Sequence, residues 1–349
     1  MTVEVTKEGA LGRLTLNNPK ALHALDRAMC EIMTDALKRW ATDDSIVAVL
    51  VDHKDGTRGF CAGGDIRMLY ESGRKDGVEA RAFFATEYRL NALIQSYKKP
   101  YVAILDGITM GGGVGISVHG PYRVATENTL FAMPETGIGL FPDVGGGWFL
   151  PRLPGEAGTY LALTGARIKA ADVIALGIAT HYVPAAALPE LKAKLQQAAR
   201  SPVPRAAIEA TLAAASQDPG PAPLAPHLRQ IDRLFVQDRV EDIVFALTTE
   251  GSEWAKTQAQ TLATKSPQTL KVALRQLREG RKHKSFADNM KMEYRIGSHV
   301  VVRHDFIEGV RATLIDRDGA PKWKPATLPE MTEAELDAIF AAVPDELVI

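Results

Sequence analysis

Glycine is crowded into one stretch of this chain: eleven of its 29 glycines fall between residues 107 and 147, where an even spread would put about three. Lacking a Cβ, glycine reaches positive φ and lets main-chain atoms approach one another or a ligand closely. The cluster therefore marks either tight turns between packed elements or a site built from backbone amides. Around it, short apolar runs with β-branched residues at 46–51, 102–105 and 124–131 alternate with stretches of helical period, above all 81–97. That alternation predicts an α/β fold.

Charge and cysteine content narrow the classes of function. Lys and Arg total 41 against 42 Asp and Glu, a net charge of −1, and no long block of one sign points to a nucleic-acid groove or an anionic membrane. A small-molecule substrate is expected, with no nucleic-acid or membrane partner. Cys30 and Cys61 are too few for a disulfide framework or a zinc site, which suits a reducing compartment, and the cytoplasm is the default expectation. Residues 1–19 alternate like strands at 3–5 and 14–16, so the first domain is expected to start at once. No run approaches the ~20 apolar residues of a membrane span.

Composition shifts near residue 200. Six prolines (202, 204, 219, 221, 223 and 226) punctuate an alanine-rich stretch, and segment 201–229 reads as a linker or lid. Beyond it the pattern is helical. Ser266 and Pro267 open a helix that Gly280 can close, and Thr332 with Glu335 forms a capping box before a last one. The expected division is an α/β core over 1–200 and a mainly helical region over 201–349 that covers it.

Most motifs that place atoms around a ligand are absent. There is no GxGxxG, no GxxxxGK[ST], no HExxH and no paired histidine spacing, so neither a dinucleotide, a P-loop nor a metal site is supported. Gly115, Ser117 and His119 only approach a nucleophile elbow, and helix packing explains them better. Two segments remain: FCAGGDIRMLYE at 60–71 and GITMGGGVGISVHG at 107–120, each a strand end, then glycines, then a helix. The first amides of a helix lack intrahelical acceptors and carry the positive end of its dipole. Gly64 and Gly112 could thus present N–H groups to a developing negative oxygen, as an oxyanion hole. A pair of tight turns is the plainer alternative.

Taken together, these segments resemble the crotonase, or enoyl-CoA hydratase/isomerase, superfamily over about residues 3–184. The resemblance implies a crotonase-like (ClpP/crotonase) spiral of ββα units, with Gly64 and Gly112 donating to an acyl-CoA thioester oxygen. One departure is informative. Hydratases of the superfamily carry a glutamate just after the GGGx element, where this chain has Gly115; their second acid position is kept as Glu135, within AMPETGIGLFPDVGGGWFLPRL at 132–153. Asp143 stands where hydratases usually carry a turn glycine. This pattern, with KMEYRIGSH at 291–299 and HDFIEGVRATLIDRDGAPKWKP at 304–325, is similar to the 3-hydroxyisobutyryl-CoA hydrolase branch over the whole chain. There, Glu87, Gly112, Glu135 and Asp143 match positions associated with substrate.

The resemblance implies thioester hydrolysis: a short-chain 3-hydroxyacyl-CoA, most simply 3-hydroxyisobutyryl-CoA of valine catabolism, split by Glu135 and Asp143 beside the two amides. No cofactor is expected, since CoA is part of the substrate, and homo-oligomers are common in the superfamily. Neighbouring carboxylates in a site with little water raise each other's proton affinity, which suits acid–base work near neutral pH. Glu87, on the 81–97 helix, would otherwise read as a surface residue. Cys61 has no base at a recognisable spacing and reads as a small buried hydrophobe. Lys271, Arg275 and Arg278, at spacings of four and three, read either as a stripe for CoA phosphates or as a solvated face. The rivals are an enoyl-CoA hydratase or isomerase using Glu135 alone, and a non-catalytic acyl-CoA or RNA-binding scaffold.

Overall fold

The computed structural model describes residues 2–349. The chain folds into two compact units, each assembled from three separated stretches. The first holds the chain up to Gly64 together with Arg89–Phe131 and Ile168–Ala225; the second holds Asp65–Tyr88, Ala132–Arg167 and Pro226–Ile349.

The first unit is the α/β part. Among the described residues its strands are β1 (Val3–Glu8), β2 (Leu11–Leu16), β3 (Ala48–His53), β4 (Gly59–Cys61), β5 (Tyr101–Leu105), β6 (Ile108–Met110), β7 (Tyr122–Ala125), β8 (Leu130–Ala132, whose last residue belongs to the second unit), β9 (Ile168–Lys169) and β10 (His181–Tyr182). They form a six-stranded sheet in the order β1-β2-β3-β5-β7-β10 and a four-stranded sheet in the order β4-β6-β8-β9. In the larger sheet only the β1–β2 hairpin is antiparallel; every other neighbour pair is parallel. Strands β3 and β5 are buried along their whole length, which is why β5 and residues 48–51 of β3 read as unbroken apolar runs rather than alternating ones.

Helices cover the larger sheet. Leu50, Val102, Ile104 and Val124 project from it into a core shared with Leu191 and Leu195 of the helix Leu188–Ala198 and with Ile208 and Leu212 of the helix Pro204–Ala215. Each such side chain contributes about 1.5–3 kcal/mol by leaving water. This corrects the linker-or-lid reading of 201–229 for its first half. Ile208 and Leu212, four apart in an alanine-rich run, make one buried stripe, and Pro204 sits where a first-turn proline is tolerated. The expected strand at 124–131 is likewise two strands. Between them Thr126 N–H donates to the Thr129 hydroxyl (2.8 Å) and Thr126 Oγ1 donates to Asp106 (2.6 Å), a side-chain-bonded turn that interrupts the ladder.

The second unit is mainly helical. Its long helices Pro267–Gly280 and Phe286–Val300 pack on each other, and the first also packs on Ala157–Thr164 and Glu333–Phe340. The opening and closing signals read at Ser266 and Gly280 bound the first of these. The Ser266 hydroxyl accepts from Thr269 N–H (3.1 Å) and donates to the buried carboxylate of Asp305 (2.5 Å).

Candidate active site

In the first unit, β4 and β6 run parallel and both end in glycine turns. After β4 the chain turns through Gly63 (φ 125°) to Gly64, which lies one residue before Asp65, the cap of the helix Ile66–Gly73. After β6, Gly111 (φ 45°) feeds Gly112, the first residue of the short helix Gly112–Gly115. The two turns are close: a Cβ added to Gly63 would stand 4.0 Å from the Gly112 nitrogen, and one on Gly113 would strike the Cys61 carbonyl oxygen at 2.4 Å. Glycine at 113 is thus required by close approach of backbone to backbone. Among the described residues, neither Gly64 nor Gly112 N–H donates a hydrogen bond. Cys61 is buried with its Sγ 3.5 Å from Gly63 O. Ser117, also buried, bonds back to Gly113 O (2.7 Å) and Val114 O (3.1 Å), the helix-packing role expected of it.

In the second unit, four carboxylates share one buried neighbourhood. Glu87 comes from the helix Val78–Gln95 and Glu135 from the first position of a single 3₁₀ turn, Glu135–Ile138. Asp143 comes from the turn between them and the short helix Gly146–Phe149, and Glu293 from the helix Phe286–Val300. None is more than 5% exposed. Tyr88 donates its hydroxyl to Asp143 Oδ2 at 2.8 Å. Among the described residues, Glu87 Oε1 and Glu135 Oε2 have no hydrogen-bond partner, a costly condition that native interiors rarely leave without a use.

Burial sets the protonation of this group. It pushes Glu87 well above the usual carboxylate range, with the charges of Asp143 and then Glu135 adding to the effect. Glu135 is raised by burial and by Asp143. Asp143 rises to about 7 by burial, opposed by the Tyr88 hydrogen bond, and Glu293 to about 8, again by burial first. Titration belongs to the set rather than to any one member. Such a set holds protons at neutral pH and can give or take them there.

The structure thus places Glu87, Glu135 and Asp143 together in one unit and the Gly64 and Gly112 amides in the other. Tyr88 and Glu293 are additions that the sequence reading did not single out. A detectable signal existed for Glu293: it lies on the same helix face as Met290, Gly297 and Val300, all buried, where a lone acid is out of place. The basic stripe is neither free for phosphates nor simply solvated. Lys271 pairs with Glu241 (2.7 Å), Arg275 with Glu279 (2.7 Å) and Asp337 (2.6 Å), and Arg278 with Glu156 (3.0 Å) and Asp238 (3.3 Å).

The family model described as enoyl-CoA hydratase/isomerase matches residues 11–340. The chain belongs to that family. It is 48% identical over 344 residues to a Xenopus tropicalis protein named "3-hydroxyisobutyryl-CoA hydrolase, mitochondrial", covering 97% of this chain and 88% of that one. The Homo sapiens protein of the same name is 45% identical over 345 residues, 98% of this chain and 89% of its own. Among solved structures, a carnitinyl-CoA dehydratase from Mycobacterium thermoresistibile superposes with a TM-score of 0.92 at 45% identity, covering 99% of this chain and 98% of the other. An enoyl-CoA hydratase from Rhodobacter sphaeroides 2.4.1 gives 0.91 at 33% identity, covering the whole of both chains. The fold is the crotonase fold these family members share, here with a helical C-terminal region. The expected cytoplasmic location is overturned by the mitochondrial names of these relatives. Scarce cysteines report a reducing environment, which more than one compartment provides, and so carry no address.

Proposed function

We propose that this family member is an acyl-CoA thioesterase that hydrolyses 3-hydroxyisobutyryl-CoA to 3-hydroxyisobutyrate and CoA, a step of valine catabolism. One observation carries the reading beyond the names of the relatives. Glu135, with one bare oxygen, and Asp143, held by Tyr88, lie buried together, and burial raises the proton affinity of both. Hydration of a double bond in this family uses a second glutamate at the position of Gly115, and a glycine there moves no protons.

In this reading the Gly64 and Gly112 amides stabilise the thioester oxygen as it gains charge, a contribution of about 2.7–4 kcal/mol per donor in well-studied cases. Glu135 as carboxylate takes a proton from water, and the hydroxide adds to the carbonyl carbon. The tetrahedral intermediate then expels CoA as thiolate, which receives the proton from Glu135. Direct attack by Glu135, giving a mixed anhydride that water then opens, conserves the same atoms. Asp143, steadied by Tyr88, hydrogen-bonds the substrate hydroxyl and orients the nucleophile. Glu87 contacts substrate, and its bare Oε1 is available for that. No step calls for a metal or a cofactor, and turnover is expected to survive dialysis against EDTA unchanged.

The test is a pair of substrates. Incubation with 3-hydroxyisobutyryl-CoA should release free thiol, whereas crotonyl-CoA should keep its conjugated double bond. Loss of that bond without thiol release would instead make the protein a hydratase.

A further inference from the structure

Glu293 is the member of the buried carboxylate group that hydrolysis leaves without a task. Its side chain accepts four N–H groups: Gly145 N (2.7 Å), Gly147 N (2.8 Å), Asn289 Nδ2 (2.8 Å) and Gln276 Nε2 (3.1 Å). No cation is among these partners, so burial of the acid is answered by amides alone. The Gln276 amide also donates to Pro142 O at 2.7 Å. The turn 142–147 is therefore held at three main-chain atoms, Pro142 O, Gly145 N and Gly147 N, with Asp143 between the first and the other two.

That grip has something to hold. After Asp143 the backbone passes through the left-handed region at Val144 (φ 52°) and again at Gly145 (φ 89°). A β-branched residue keeps such a conformation only where its surroundings over-determine it, and residues held this way cluster at functional sites. The acid suits the clamp because both its oxygens accept, Oε2 from Gly145 N–H and Oε1 from Gly147 N–H. Glutamine in its place would turn an NH₂ group toward one of the two glycine N–H donors.

We infer that Glu293 is a positioning residue for Asp143: by gripping Gly145 and Gly147 it fixes the left-handed turn that keeps the Asp143 carboxylate on Tyr88 and in the acid cluster. The inference rests on the assignment of Asp143 to the reaction. Glu293 touches no reacting atom in this scheme; it acts through the turn.

The test is a double-mutant cycle read in kcat and KM, with enough enzyme to follow residual thiol release. Glu293→Gln should lower kcat about 10- to 100-fold with KM within about threefold of wild type. In an Asp143→Asn background the same substitution should change kcat by less than about threefold, because the group it positions is already disabled. Gln276→Met, which frees Pro142 O without touching a charge, should follow the same pattern, and it carries the test if Glu293→Gln does not fold. Equal losses in both backgrounds, or no loss in either, would overturn the clamp and leave Glu293 a simple cap of the short helix. Wild-type turnover by Asp143→Asn alone would overturn the role of Asp143 itself, a separate result.

Discussion

Glu135 and Asp143 are acids whose chemistry is decided by where they are buried. Glu135→Gln keeps the shape of the side chain and removes its ability to take a proton, so kcat should fall by about 10²- to 10⁴-fold. A stopped assay of thiol release that finds less than a tenfold loss would remove Glu135 from the reaction. The pH profile follows from the same burial. The base must be ionised to work, and burial together with the charge of Asp143 raises Glu135 well above its ordinary 4.5, so kcat/KM should fall on acidification while the pH is still well above 4.5 and level off above the raised value. A profile flat down to pH 5 would contradict that. At this scale the sequence was partly legible. Glu135 and Asp143 stood out by their motif, whereas Glu87 looked like any helical glutamate, because what buries it is not its own helix. Glu293 was missed for a related reason: its partners Gly145, Gly147 and Gln276 lie 17 to 148 residues away along the chain.

Elements were legible where local rules act and obscure where distant segments intervene. Ser266, Pro267 and Gly280 bound a helix in the sequence, and the structure has it at those residues. The Ser266 hydroxyl serves both the helix amide of Thr269 and the Asp305 carboxylate, which is fully buried and also accepts from Lys324 N–H (2.7 Å). Ser266→Ala should therefore cost more than an ordinary cap, about 2–3 kcal/mol against about 1, because it also strips a donor from a buried acid. Urea denaturation measures this, and a loss under 0.5 kcal/mol, a negligible surface-like effect, would show that Asp305 finds another donor. On the same helix the charged stripe misled, since Glu241, Asp337 and Glu156 are remote in sequence. The run at 124–131 misled in another way: apolar content suggested one strand, but Thr126 and Thr129 bond across a turn in the middle of it.

The acid cluster also marks the stability of the whole chain. A carboxyl whose value is raised on folding binds protons more tightly folded than unfolded, so it supports the fold at low pH and weakens it as pH rises toward the raised value. For Asp143 that window runs from its ordinary 3.8 to about 7. Buried histidines oppose the trend: His23 is held down to about 4 by burial and by the charge of His53, so its contribution grows between pH 4 and 6.5. The comparison that isolates the acid is Asp143→Asn against wild type. The variant should melt several degrees higher at pH 8 and with little difference at pH 4, and a gap that does not widen with pH would argue against the burial. Most of the division into two units was not legible, because composition changes once, near residue 200, while the packing regroups the chain at four other places as well as nearby at 225. This braiding limits how such a protein can be shortened. A chain cut after Ala225 would keep every strand of both sheets yet strand Asp65–Tyr88 and Ala132–Arg167 without the helices that complete their unit, so a gene losing its last third would yield an orphaned scaffold rather than a smaller enzyme.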